Sequence, residues 1–159
     1  MKKVLIFPSP FLIHNATADQ QNDYIKSSLM NEVVLEGIGD FMEVNDLNKS
    51  NYHEEVRKII AEQKPDWVIA SGESATACIN LYSQKKILVN PTVTTNDLNN
   101  IPGYARWNTY GFFGALPEQE KSYELLQSVY PIASWFVNAL NLQFIDVKHI
   151  IHGIINSNI

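Results

Sequence analysis

Ser74 sits in the stretch Gly72-Glu73-Ser74-Ala75-Thr76, directly after the apolar run Trp67 to Ala70 and before a helical pattern. A hydroxyl is a weak nucleophile until a neighbouring imidazole takes its proton. The imidazole in turn needs a carboxylate to hold its tautomer and stabilise its charge. The chain offers these groups in order. Glu118 and Glu120 follow the run Tyr110 to Ala115, and His149 and His152 follow the run Leu142 to Val147. The chemistry would be acyl transfer: Ser74 attacks an ester carbonyl, His152 shuttles the proton and Glu118 orients the ring. His149, Glu120 and Asp97 are the alternatives. The backbone N–H of Ala75, opening the helix, would be one oxyanion donor.

Each of these residues also has a plainer role. Ser74 fits the N-terminal cap of the following helix. Glu118 and Glu120 suit the positive end of a helix. His14 and His53 read as loop and surface residues, and Cys78 as packed core.

The elements that must position the triad alternate in kind. Val4 to Phe7 is a continuous apolar run, as expected of a strand buried on both faces, and "PSP" ends it. Tyr24, Ile25, Ser28 and Leu29 fall at helical spacing. Asp40 to Asn45 reads as a strand. Tyr52, Val56, Ile59 and Ile60 mark an amphipathic helix that stops at Pro65. Trp67 to Ala70 is a strand; Ala77, Cys78, Leu81 and Tyr82 mark a helix. Lys86 to Pro91 and Tyr110 to Ala115 are strands, residues 119–140 are one or two helices broken near Pro131, and Leu142 to Val147 is the last strand. Strands alternating with helices imply βαβ units and a parallel sheet with helices on both faces. In such sheets chemistry sits beyond the carboxyl ends of the strands.

The chain has 159 residues, the size of one domain. A net charge of −5 without a basic stripe argues against nucleic-acid or anionic-membrane binding. One cysteine rules out an internal disulfide and fits a reducing cytoplasm. No apolar run reaches the roughly 18 residues of a membrane span. The opening lysines and apolar run read as a first strand, because Pro8 and Pro10 interrupt any signal-peptide pattern. No Gly-rich phosphate loop follows a strand, which disfavours nucleotide binding. No metal or cofactor is expected.

"VIASGESATACINL" and "KILVNPTV", with Asn90-Pro91 closing the strand after the bend, resemble the small single-domain bacterial esterases of the α/β-hydrolase superfamily, the YqiA/YcfP-like branch in particular. The order serine, acid, histidine is that of the superfamily's triad. The resemblance covers nearly the whole chain. It implies one small three-layer α/β-hydrolase-like sandwich over residues 1–159 with a reduced lid, acting as a carboxylesterase on small acyl esters. Thr76 stands where the Gly-x-Ser-x-Gly elbow has its second glycine. Pro8-Ser9 replaces the family's His-Gly, so the second oxyanion donor falls to Ser9 or Phe11, since proline has no N–H. Glu73, Tyr104 and Trp107 are placed to line the substrate pocket. The altered elbow and oxyanion loop support an alternative, a catalytically weak or inactive domain of this kind that serves in binding.

Overall fold

The structure is a computed structural model and describes residues 2–7, 39–44, 49–95, 108–115, 117–128, 134–136, 150–151 and 153–156. Six strands form one sheet: β1 (Lys2–Phe7), β2 (Gly39–Glu43), β3 (Trp67–Ser71), β4 (Lys86–Val89), β5 (Thr109–Phe113) and β6 (Ser134–Phe136). Their order is β2-β1-β3-β4-β5-β6 and every pair is parallel. Among the described residues they are accompanied by α1 (Tyr52–Gln63), α2 (Glu73–Cys78) and α3 (Pro117–Gln127), and by helical residues at 150–151 and 153–156.

The continuous apolar runs form strands because both faces of the sheet are covered. Leu5, Phe7, Val68, Ala70, Leu88 and Phe113 point to one face, where they meet Tyr52, Val56 and Ile60 of α1, Ala75 and Cys78 of α2 and Leu126 of α3. Val4, Ile6, Trp67, Ile69, Ile87, Val89 and Phe112 point to the other, against Ile151, Ile154 and Ile155 of the helical residues 150–151 and 153–156. Period-two alternation of side chains produces this division. Burying each such large apolar side chain contributes about 1.5–3 kcal/mol. The steps β2 to β3, β3 to β4 and β5 to β6 all move in one direction across the sheet. Right-handed crossovers therefore put α1, α2 and α3 on the same face.

The α1 spacing Tyr52, Val56, Ile60 is one buried stripe four residues apart. The helix ends where Lys64 turns left-handed (φ 48°) and its N–H bonds to Ile60 O, one step before Pro65. Helix α2 is shorter than its apolar spacing suggests: Leu81 and Tyr82 lie beyond its end, in a turn whose Leu81 carbonyl accepts from Lys86 Nζ at 2.8 Å. Residues 134–136, expected to be helical, form β6 instead. A three-residue segment is too short to show a period, and its pairing with Gly111 to Phe113 decides its form. The expected helix near residues 24–29 and the expected strand Leu142 to Val147 lie outside the described residues.

Candidate functional site

Strand β1 has β2 on one side and β3 on the other, so the chain leaves β1 and β3 in opposite directions. In open parallel sheets ligands bind beyond the carboxyl ends of the strands at such a reversal. The β3–α2 turn, with the sequence Ser71-Gly72-Glu73-Ser74, stands at this place.

Gly72 carries the turn's conformational strain. Its φ of 62° and ψ of −126° lie in a region that residues with a Cβ rarely adopt. The turn stays tied to the sheet, because Gly72 N–H extends the ladder to Val89 O at 2.8 Å. Thr76, four residues past Gly72, bridges the turn. Its hydroxyl donates to Gly72 O at 3.3 Å and accepts from Thr92 N–H at 2.9 Å.

Ser74 does not stand clear of the sheet as the sequence led us to expect. It is 0% exposed, the second residue of α2 and beneath the bend. Its Oγ lies 2.6 Å from Ser71 O and 2.9 Å from Phe7 O, and it accepts from Ser71 N–H at 3.2 Å. The buried Tyr52 phenol hydrogen-bonds to Ser74 as well. Burial pushes this phenol up to about 12; the Ser74 hydrogen bond opposes that, and Cys78 and Glu73 add to it. The serine thus pins α2 to the end of β1. Ala75 is also fully buried.

The residue of the turn that reaches outward is Glu73. Its carboxylate pairs with His53 Nε2 across from α1, and both side chains are a little over a third exposed. A carboxylate only accepts hydrogen bonds, so Nε2 carries the proton of this contact. His53 was read as a surface residue from the sequence. The signal that could have found it is positional: helix α1 follows β2, so its first turn lies at the carboxyl edge of the sheet.

The other triad candidates do not join this group. Glu118 and Glu120 are exposed on the first turn of α3, and neither has an ion-pair partner among the described residues. His149, His152, Asp97, Ser9, Phe11, Tyr104 and Trp107 lie outside the described residues. Asn90 holds the neighbouring strand end: it is left-handed (φ 54°), its N–H donates to Phe112 O, and its Oδ1 accepts from Gly114 N–H at 2.7 Å. Among the described residues no three His, Cys, Asp or Glu side chains gather as metal ligands, and no helix is long and apolar enough to cross a membrane.

No family model matches the chain, and neither a curated protein nor a solved structure matches it. The class that is shown is an α/β protein built on a parallel sheet.

Proposed function

We propose that this chain is an α/β-hydrolase-like domain that binds a small molecule at the carboxyl edge of its sheet and lacks a serine nucleophile at the elbow. The observation that carries this reading is the backbone of Gly72. In a nucleophile elbow the strained residue of the strand-to-helix turn holds the reactive side chain out of the sheet. Here that residue is a glycine and offers no side chain. Aligning the motif on the strain makes it Ala70-Ser71-Gly72-Glu73-Ser74. Ser74 then takes the place of the motif's last small residue, which explains its burial against Phe7 O. The strand order and the resemblance to the YqiA/YcfP-like esterases support the hydrolase-like ancestry. The buried thiol of Cys78 fits a reducing compartment such as the cytoplasm.

The second reading is a serine carboxylesterase acting on small acyl esters through Ser74, with His152 as base and Glu118 as acid. The chain order of the three residues and the position of the turn after β3 favour it. It requires Ser74 to exchange its three backbone contacts for a histidine. Treating the folded protein with a fluorophosphonate and mapping adducts by mass spectrometry separates the two. We expect Ser74 to remain unlabelled; an adduct on Ser74 overturns the binding reading and installs the esterase. In parallel, NMR titration with short-chain esters and their carboxylic acids should shift the amides of Gly72, Glu73 and His53.

A further inference from the structure

We propose that His53, oriented by Glu73, is a general base serving the ligand seat over Gly72, and that the seat takes small neutral molecules with an acidic C–H or O–H. The inference rests on the ligand seat proposed above. Three observations converge on it. Glu73 is the residue next to the strained glycine, so its carboxylate is fixed by the same turn that forms the seat. His53 is the second residue of α1, whose buried stripe (Tyr52, Val56, Ile60) locks that helix against α2 and the sheet. Among the described residues, each of the two side chains has the other as its only hydrogen-bond or ion-pair partner.

The pairing does what the acid of a catalytic dyad does. It fixes one tautomer, aims the ring, and stabilises the imidazolium that forms when Nδ1 accepts a proton. Partial exposure keeps the dyad within reach of a ligand, while attachment to two helices keeps it positioned. A side-chain-free Gly72 beside it allows close approach of a ligand to the backbone. With no nucleophile in the elbow, the chemistry left to this edge is proton transfer.

The test uses 5-nitrobenzisoxazole as a probe of a positioned base. His53 Nδ1 removes the ring C–H proton, the C–H electron pair forms the nitrile as the N–O bond breaks, and the electrons leave on the phenolate oxygen. The imidazolium returns its proton to solvent. A positioned base contributes about 10²–10⁴-fold. We therefore expect His53→Gln to lower the rate by about 10²-fold or more, with its fold checked by thermal melting. Glu73→Gln should lower the rate less, and Glu73→Asp should recover part of that loss, because the ring regains a carboxylate to orient it. An unchanged rate in His53→Gln overturns the proposal, as does a Glu73→Gln rate equal to the parent's. If the rate falls as expected but no ester or acid shifts Gly72, the seat is wrong and the dyad stands. If Gly72 shifts but the rate is indifferent to His53, the dyad is wrong and the seat stands.

Discussion

At the scale of single residues, Ser74 decides whether the turn after β3 can hold a serine nucleophile. An exposed elbow serine supports little packing, and its removal costs little. The Ser74 seen here joins β1, the turn and Tyr52 through one buried hydroxyl. Removing it leaves buried polar groups short of a partner, at about 1–3 kcal/mol. Ser74→Ala should therefore lower the urea midpoint by a corresponding amount with an unchanged m-value. A variant as stable as the parent would put the serine in solvent. The sequence identified the turn and its place after β3, because a buried run meeting a helical pattern is visible in residue types. Gly72 was itself a trace of the strain, since glycine is the default residue at positive φ, but the Gly-x-Ser pattern drew the reading to Ser74.

At the scale of elements, two strand and helix ends can be probed directly. Lys64 is left-handed at the end of α1, a conformation that glycine adopts without a Cβ penalty. Lys64→Gly should raise stability by about 0.5–1 kcal/mol, measured by urea unfolding. Gly111 in β5 behaves in the opposite way. A Cβ there would lie 2.9 Å from Leu126 Cδ2 and 2.9 Å from a ring carbon of Phe113. Gly111→Ala should cost about 1–3 kcal/mol through overpacking between β5 and α3. Of the five strands read from the sequence within the described region, β1, β3, β4 and β5 were legible as largely apolar runs bounded by a Pro, Gly or polar residue, and β2 as a short segment after Gly37 and Gly39. Strand β6 was not, since "SWF" holds too few residues to declare a period and draws its form from β5. The His53–Glu73 pair was equally hidden: the two lie 20 residues apart, and only the packing of α1 on α2 brings them together.

At the scale of the whole molecule, buried ionisable groups set the alkaline limit of stability. Lys86 is fully buried at the start of β4, and its Nζ donates to Leu81 O and Gln84 O. Burial pulls its pKa from 10.5 down to about 8, with Cys78 opposing. Between about pH 8 and 10.5 the unfolded chain therefore holds more protons at this site, and stability rises with pH. Burial pushes Cys78 from 9.0 up to about 12, and Tyr52 from 10.0 up to about 12. For these two the folded chain holds more protons, and stability falls as pH passes about 9 and 10 respectively. The sum rises slightly from about pH 8 to 9 and flattens to about pH 10. It then falls by up to about 1.4 kcal/mol per pH unit for each unbalanced proton. Urea unfolding across pH 8–11 should trace this curve. Cys78→Ala should keep the curve rising to about pH 10 and delay the onset of the fall from about pH 10 to about pH 10.5, relative to its own baseline.

The position of β1 in the interior of the sheet also governs when the protein can fold. Its neighbour β3 is held to it across 63 residues, as the bond from Lys3 N–H to Asp66 Oδ2 records. The face carrying Val4 and Ile6 is joined by Ile151, Ile154 and Ile155, and Lys2 Nζ donates to Ile155 O across 153 residues. Strand β1 thus acquires some of its partners only when residues 150–156 have been made. Pairings of such sequence separation are slow to form. Until then "VLIF" is an unsatisfied β-prone segment, open to association with other chains. The yield of soluble protein should accordingly depend on synthesis rate and chaperone supply more than on equilibrium stability.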